Sequence, residues 1–280
     1  MEYYSSEGLK RAAKGKLAYQ SGIAIGAYLL QIAILFGVLM IVAIAMAGTI
    51  LQPMVNLIAT MDPTGDVAAV QQQLLDMTMT PQYLISSQAI SALIGALAST
   101  LTNGYSYICL KISRSQKAVL SDLFFVYRNN PDRVILLYLL SFAIQLILGL
   151  PADLVGYFSE KTPENTGLYL LSVALTIATY VLTYIFTLMV SQVFFLYLDD
   201  TQKSVPDVFR ESIALMKGHK GRLFYIQVSF IGWLLLSLLT FGMLLIWVGP
   251  YMEMTFAEFY RNLLREPLWV ATEGYPGQDA

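Results

Sequence analysis

The sequence predicts an all-α, polytopic integral membrane protein, a helical bundle of about six transmembrane helices with amphipathic helices on the cytoplasmic side. Hydrophobic residues make up 56% of the chain and charged residues 13%, which is about half the charged share of a soluble domain. The charges are also missing from windows long enough for a transmembrane helix of roughly 17–25 residues. These windows are 17–61, 77–110, 134–152, 165–198 and 223–252.

The windows divide into six spans, of which the last two form a short hairpin around a tight turn at 240–242. The sixth span is the least typical, because Gly249 and Pro250 lie inside it and Glu253 and Glu258 follow; five spans and a surface helix are the alternative. We predict a single transmembrane domain at 1–265, a cytoplasmic tail at 266–280, and spans at about 22–47, 84–109, 134–150, 168–198, 223–240 and 243–262.

Basic residues are concentrated on one side of this topology. Of the 17 Lys and Arg residues, only Lys161 falls in a loop that the topology places outside. Loops rich in Lys and Arg stay in the cytoplasm, so both termini are predicted to be cytoplasmic, in a multi-pass protein of the cell membrane. The apolar run after Lys16 exceeds the 7–15-residue core of a signal peptide, which argues against cleavage.

Two cytoplasmic segments, 9–19 and 215–225, align without gaps as Leu-x-basic-x-x-Lys-Gly-basic-Leu-x-Tyr, and 122–133 is a looser third copy. Each precedes a pair of spans. This pattern predicts three repeated hairpin-like units of about 100 residues, an arrangement known in membrane transport folds. The alternative is convergence, because any basic amphipathic entry to a span has similar composition.

The segment after Ser204 has the signature of a helix start, with a hydroxyl cap, an early proline and an acid three residues on. Its apolar residues follow helical spacing, which indicates a helix lying in the headgroup layer. The basic residues that follow it are predicted to contact lipid headgroups; an ordinary topology anchor is the alternative. These candidate residues are Lys217, Lys220 and Arg222.

The fourth span carries eight hydroxyl residues at steps of three and four, which place them on one helical face. We name this set the hydroxyl stripe: Ser172, Thr176, Thr179, Tyr180, Thr183, Tyr184, Thr187 and Ser191. The functional interpretation is a polar path for a small polar or amphiphilic molecule. The alternative is that the threonines bond to carbonyls of their own helix and that the face packs against neighbours.

Glu253 lies near the middle of the predicted sixth span, where a charge costs on the order of 3 kcal/mol. Pro250 removes one backbone hydrogen bond beside it. Transporters place ion or substrate sites at such broken helices, whereas an interfacial position or pairing with an amide is the alternative. The candidate polar path therefore consists of Thr176, Thr179, Tyr180, Thr183, Thr187 and Glu253.

Other polar residues in the spans are predicted to serve packing. Small or polar residues at every fourth position of the second span let helices approach closely, and glutamines in the other spans form interhelical hydrogen bonds. The small or polar set is Ser87, Ser91, Gly95, Ser99 and Asn103, and the glutamines are Gln31, Gln145, Gln192 and Gln227.

Metal, cofactor and catalytic motifs are missing from the sequence. Cys109 and His219 are each the only residue of their kind, so we predict no metal and no cofactor. The pair Asp199 and Asp200 is predicted to be a solvated helix end. No nucleotide-binding, metalloprotease or nucleophile motif occurs, and nothing favours nucleic-acid binding. We therefore expect a protein that is not an enzyme and whose partner is membrane lipid.

The carboxyl-terminal region contains a dense set of recognisable positions: Ser212, Met216, Lys217, Gly218, Lys220, Leu223, Phe224, Ser229, Gly232, Trp233, Leu239, Thr240, Gly242, Trp247, Pro250, Tyr251, Thr255, Ala257, Phe259 and Tyr260. With this set, region 204–264 resembles a bacterial family of multi-pass membrane proteins catalogued as domain of unknown function 975. The resemblance implies a fold and a membrane location but no activity. We expect transport or export of a small amphiphile, lipid or peptide; the alternative is a non-transporting membrane scaffold or immunity-type protein that binds lipid or protein partners.

Overall fold

A computed structural model describes residues 4–59, 81–162 and 164–267 of the chain. These residues form two compact units, which we describe separately. The main unit comprises residues 4–31 and 96–267, and the second unit comprises residues 32–59 and 81–95. The predicted tail at 266–280 lies outside the described residues except for its first two positions.

All regular secondary structure in this part of the chain is helical. The helices are α1 Ser6–Tyr19, α2 Ser21–Ala59, α3 Pro81–Ser113, α4 Phe125–Arg128, α5 Pro131–Lys161, α6 Thr166–Val190, α7 Val193–Asp199, α8 Val205–Leu215, α9 Lys220–Val228, α10 Ile231–Leu239 and α11 Leu245–Leu263, with a 3-10 helix at Leu120–Phe124. Five stretches are long and apolar enough to cross a membrane: Ser21–Ile44, Ile85–Ser113, Pro131–Lys161, Thr166–Asp199 and Lys220–Leu239. The predicted all-α membrane bundle is confirmed.

The sixth predicted span coincides with α11, a regular helix of 19 residues with Pro250 inside it. It is not among the five apolar stretches of the described residues, since Glu253, Glu258 and Arg261 interrupt its apolar sequence. The turn before it is present as predicted, with positive φ angles at Phe241 and Gly242. A sixth full crossing therefore stays a prediction.

The observed helices differ from the predicted spans at four places, of which the first is α2, which continues past the predicted end at 47 to Ala59. The third predicted span, 134–150, is only the apolar part of α5, which continues through Pro151 to Lys161. The fourth predicted span is interrupted at 191–192, between α6 and α7, and the fifth at 229–230, between α9 and α10. Charge patterns locate the apolar length of a helix, but backbone hydrogen bonding decides where the helix ends.

The second unit consists of the distal part of α2 and the proximal part of α3. Its large apolar side chains face outward, as expected for helices surrounded by lipid; the most exposed are Phe36, Ile41, Ile44, Ile85 and Leu93. Of the small residues predicted to pack, Ser91 is itself exposed.

The core of the main unit forms around α1, the amphipathic helix at the amino terminus. Ser5 caps this helix by accepting a hydrogen bond from the Gly8 amide. One face of α1 is buried against both α9 and α11, so α1 is part of the bundle. The apolar cluster that joins these helices contains Leu9, Ala12, Leu188, Met216, Leu223, Ile226, Phe230, Phe259 and Leu263.

The predicted helix start at Ser204 is confirmed: its hydroxyl accepts a hydrogen bond from the Asp207 amide and α8 begins at Val205. Its apolar face, which includes Val208 and Phe209, is buried. The first two copies of the predicted repeat adopt different local structures, because 9–19 is one helix whereas 215–225 contains a turn between α8 and α9. The three-unit repeat stays a prediction.

Helices α3 and α11 run side by side in the same direction. The Ser106 hydroxyl of α3 donates a hydrogen bond to Glu253 of α11. Seven residues further along α3, the carbonyl of Ser113 accepts a hydrogen bond from Arg261, which is eight residues further along α11. We call the region where these two helices end the charged end of the main unit. At a rise of 1.5 Å per residue, Glu253 lies about 10 Å along the helix axis from the end of α3. The first residue of α11 lies about 12 Å from Glu253 in the opposite direction, away from the charged end.

Candidate functional site

The hydroxyl stripe lies largely on the outside of α6. Tyr180 has 73% of its surface exposed, and Thr176 and Thr187 are also exposed, whereas Thr179 and Thr183 are half-buried. From Ser172 to Ser191 the stripe extends about 28 Å along the helix axis, which is close to the roughly 30 Å thickness of the hydrocarbon core.

Most stripe hydroxyls already have a partner. Thr176 donates to the carbonyl of Ser172 at 2.8 Å and Thr187 to that of Thr183 at 2.9 Å, both within α6. Thr179 reaches the carbonyl of Leu148 on α5 at 3.5 Å. These bonds correspond to the alternative interpretation of the stripe, in which threonines satisfy backbone carbonyls. The stripe nevertheless keeps an exposed hydroxyl-rich face at the level of Tyr180.

Glu253 lies in a different place, between α11 and the helices α2 and α3. Ser106 donates its hydroxyl to the Glu253 carboxylate. The side chains of Tyr28, Tyr105 and Cys109 are close enough to interact electrostatically with it. The structure therefore separates the predicted polar path into two parts, the stripe on α6 and Glu253 among three other helices.

Gly249 explains why α2 can approach α11 at this level. A Cβ atom at Gly249 would lie 2.2 Å from the ring and hydroxyl oxygen of Tyr28, so a larger residue would displace the phenol from this position. Gly249 precedes Glu253 by four residues, which places both on one face of α11. Tyr28 and Tyr105 also contact each other, with ring centroids 5.4 Å apart.

A second polar layer lies one turn away from Glu253. The Gln31 amide donates to the Thr102 hydroxyl at 3.2 Å, joining α2 and α3 as the sequence predicts for a buried glutamine. Gln227 likewise accepts a 2.6 Å bond from Tyr184 between α9 and α6. The Gln31 carbonyl oxygen and the Tyr105 hydroxyl are buried without a hydrogen-bond partner among the described residues.

The charged end contains a buried ionic group that the sequence analysis did not identify. Glu258 has none of its surface exposed and accepts a 3.2 Å bond from Arg261. Lys16 of α1 donates to the Ser115 hydroxyl. Burial lowers the pKa of Lys16 from 10.5 to about 8, although the nearby Glu258 carboxylate acts in the opposite direction. Only the i, i+3 spacing of Glu258 and Arg261 indicates this pair in the sequence.

A second ionic group ties the ends of α3, α7 and α11 together. Arg114 donates to both carboxylate oxygens of Asp199 and to Glu266 at 2.6 Å, and Tyr260 donates to Asp199 at 2.6 Å. Asp199, predicted to be a solvated helix end, is thus held by an arginine and a phenol. No group of metal-binding side chains occurs within the described parts of the chain.

The three predicted headgroup contacts have different surroundings. Lys217 is exposed and Lys220 is half-buried. Arg222 donates to the carbonyl of Tyr4 at 2.8 Å and to Asn262 at 2.7 Å. Arg222 therefore joins α9, α11 and the start of the described chain. Headgroup contact stays a prediction for all three residues.

An apolar pocket opens between α1 and the α10–α11 hairpin. It has a volume of about 300 Å³, and a single basic side chain is the charged group in its lining. Its residues lie more than 200 positions apart in the chain, so no local pattern predicts it. The lining consists of Lys14, Leu17, Trp233, Leu244, Trp247, Val248 and Tyr251.

Comparison with known proteins gives one finding. The sequence profile of a family described as protein of unknown function (DUF975) matches residues 1–266. Neither the curated proteins nor the solved structures contain a match. The resemblance seen in region 204–264 thus extends over almost the whole chain. Because the match covers residues 1–266, the protein belongs to the DUF975 family.

Proposed function

We propose that this protein is a non-enzymatic, multi-pass protein of the bacterial cell membrane that moves or exports a small amphiphile, such as a lipid or an apolar peptide, along the outer face of α6. The observation that carries the proposal is the hydroxyl stripe, which is about as long as the hydrocarbon core is thick. An amphiphile could keep its apolar part in lipid while its polar group contacts successive hydroxyls.

Tyr180 supports this interpretation at the level of a single side chain. Its phenol is 73% exposed about halfway along the apolar stretch from Thr166 to Asp199. A hydroxyl without a partner is costly in hydrocarbon, and lipid tails offer no hydrogen bond. A polar group of a bound amphiphile would supply one. The pocket beside Lys14 adds an apolar recess with a cationic side chain that suits an anionic headgroup.

The distribution of charge supports the proposed orientation. Basic side chains from separate parts of the chain meet at the charged end of the main unit, among them Lys16, Arg114, Arg222 and Arg261. Basic segments beside membrane spans stay in the cytoplasm. We therefore propose that the charged end faces the cytoplasm and that both termini lie there.

A scaffold that binds lipid or protein and moves nothing is the second candidate. It is favoured by the bonds of Thr176 and Thr187 to their own helix, since such hydroxyls are already satisfied. In a scaffold, the outer face of α6 would be dry and covered by lipid or a partner helix.

Thiol labelling in intact membranes separates the two candidates. In a Cys109→Ser background, single cysteines are introduced at Thr176, Tyr180, Thr183 and Thr187 and treated with a small water-soluble thiol reagent. Thiols react as thiolates, which require water. A path for polar groups predicts labelling at several depths, whereas a scaffold predicts none.

The matched control is Ala178→Cys, at nearly the same depth as Tyr180 but about 200° around α6. Ala178 is exposed, so it reports the reactivity of a lipid-facing position. Labelling of the stripe cysteines but not of this control supports the path. Equal labelling of both, or no labelling of the stripe while a cysteine at Lys217 reacts, contradicts it.

A further inference from the structure

Glu253 is a carboxyl group within the bundle that has no cationic partner in the part of the chain that the structure describes. None of the ion pairs formed by the described residues involves it. Among the described residues, Ser106 donates a hydrogen bond to it. The nearest acid on the same helix, Glu258, differs in this respect because Arg261 and Lys16 both act on it. The two carboxyl groups of α11 therefore make a natural comparison.

The groups that face Glu253 are neutral and carry exchangeable protons. They are the hydroxyl of Ser106, the phenols of Tyr28 and Tyr105, and the thiol of Cys109. Tyr28 comes from α2 and the others from α3. On α1, Lys16 interacts with Glu258. No described cation acts on Glu253.

The Tyr105 hydroxyl provides an independent observation. It is buried, with 2% of the residue exposed, and has no hydrogen-bond partner among the described residues. The Cys109 thiol, the Glu253 carboxyl and the Tyr28 phenol all interact electrostatically with this hydroxyl, so Tyr105 belongs to the same buried polar group as Glu253.

The position of Glu253 also allows exchange with water. It lies about 10 Å from the end of α3, on the side where the charged groups meet. Pro250, one turn earlier on the same face, has no amide hydrogen to donate to the carbonyl of Ile246. The Glu253 carboxyl and the Ser106 hydroxyl that donates to it therefore lie about 10 Å from the charged end.

We propose that Glu253 is a proton-binding site that exchanges its proton with the aqueous phase at the charged end, with Ser106 as its hydrogen-bond donor and the phenols of Tyr28 and Tyr105 as polar neighbours. A proton needs a single acceptor oxygen. A bound sodium ion would need several oxygen ligands, and among the described residues the one hydrogen bond at this carboxylate joins it to Ser106. The inference does not depend on transport along α6, because its test measures protonation alone.

Reaction with dicyclohexylcarbodiimide tests the site, because this apolar reagent modifies protonated carboxyl groups within membranes. The purified full-length protein in detergent is treated over a range of pH, and labelled peptides are identified by mass spectrometry. We expect labelling at Glu253 that falls about tenfold per pH unit above its midpoint. The Glu258 peptide is the internal comparison, because Arg261 and Lys16 oppose protonation of that carboxyl whereas no described cation acts on Glu253. Labelling of Glu258 should therefore fall at a lower pH than labelling of Glu253.

Two variants make the result specific. Glu258→Gln leaves Glu253 and its neighbours unchanged and should keep the wild-type labelling curve, whereas Glu253→Gln should abolish labelling of that peptide. Ser106→Ala removes the hydroxyl that donates to the carboxylate, so it should shift the labelling midpoint of Glu253 to higher pH. This shift needs no loss of fold and remains informative if Glu253→Gln is unstable.

Three outcomes would overturn the proposal. The first is labelling of Glu253 that does not depend on pH. The second is no labelling of Glu253 while a carboxyl control peptide reacts. The third is suppression of labelling by sodium chloride, relative to choline chloride at equal concentration and pH, which would identify a sodium site. Equal labelling in both salts supports the proton.

Discussion

Gly104 lies where α3 meets the carbonyl of Leu123 in the short 3-10 helix. A Cβ atom at Gly104 would lie 1.8 Å from that carbonyl oxygen, and backbone cannot move aside as a flexible side chain can. Gly104→Ala should therefore lower the free energy of unfolding by about 1–3 kcal/mol. The measurement is chemical denaturation in detergent micelles, followed by circular dichroism.

The control for this substitution is Gly156→Ala in the interior of α5, where a Cβ atom meets nothing within 4 Å. Alanine at that position should stabilise the helix by about 0.5–1 kcal/mol. Equal effects of the two substitutions would show that Gly104 is not needed for the close approach.

Lys16 makes stability depend on pH in a defined direction. Its pKa is lowered by burial from 10.5 to about 8, so between these values the unfolded chain holds a proton that the folded protein has released. The free energy of unfolding should rise with pH over this window, by at most about 1.4 kcal/mol per pH unit. Lys16→Met should remove this rise.

The matched variant Lys14→Met changes an exposed lysine of the same helix and should keep the wild-type slope. If Lys16→Met also keeps the slope, another group carries the pH dependence. Both curves are obtained from denaturation in detergent at pH values from 7 to 10.5, the upper limit being the ordinary lysine value.

Individual residues show what sequence reasoning reaches and what it misses. Gln31 and Gln227 form the interhelical hydrogen bonds expected of amides within the spans. These bonds were predictable because an unpaired amide in hydrocarbon costs free energy whatever its neighbours are. The partners of Glu253 could not be predicted, since Tyr28 and Ser106 reach it from helices more than 140 residues away in the chain. The buried pair Glu258–Arg261 has an ordinary surface spacing, and only tertiary packing makes it buried.

At the scale of elements, α1 is the clearest departure from its sequence pattern. Basic amphipathic composition is typical of a helix lying on the membrane surface, yet α1 packs against α9 and α11 with Leu9 fully buried. Leu9→Ala should lower the free energy of unfolding by about 2–5 kcal/mol, as for other buried leucines. A helix held only by headgroups would give a much smaller change.

Arg11→Ala provides the comparison on the exposed face of α1. Arg11 pairs with Glu7, and both side chains are largely exposed, so the substitution should cost no more than about 1 kcal/mol. Thermal unfolding in detergent ranks the two variants. If Leu9→Ala is as mild as Arg11→Ala, α1 does not belong to the core.

The apolar spans were predictable because they follow from one physical requirement, the length of apolar sequence needed to cross hydrocarbon. The breaks at 191–192 and 229–230 and the extension of α5 beyond residue 150 were not. At the two breaks the sequence stays largely apolar, and beyond residue 150 it becomes more polar. Neither pattern by itself determines whether the backbone hydrogen bonds of the helix continue. The turn at 240–242 was predictable because Gly242 supplies the required positive φ angle.

For the molecule as a whole, Glu266 connects the carboxyl-terminal segment to the bundle through Arg114 and Arg261. Burial alone would raise the pKa of Glu266, but the hydrogen bonds from these arginines outweigh it and lower the pKa below 4.5. Its stabilising contribution is therefore complete above pH 4.5 and is lost as the pH falls through the folded-state value.

Glu266→Gln should lower the free energy of unfolding at neutral pH by about 1–3 kcal/mol, and this difference from the wild type should shrink on acidification. Glu160→Gln, at an exposed position of α5, should match the wild type throughout. A constant difference for Glu266→Gln at every pH would mean that its charge is not what stabilises the segment.

The position of α1 between α9 and α11 has a consequence for the order in which the protein is assembled. Leu9 leaves the ribosome 250 residues before Phe259, with which it shares the core. At about 5–20 residues per second, α1 must wait roughly 10–50 s for its partners. During that time its apolar face needs a temporary cover, such as lipid or an insertion factor. Closure of this bundle is thus a late, post-insertion step, and nascent chains that stop before α11 should be preferred targets for membrane proteases.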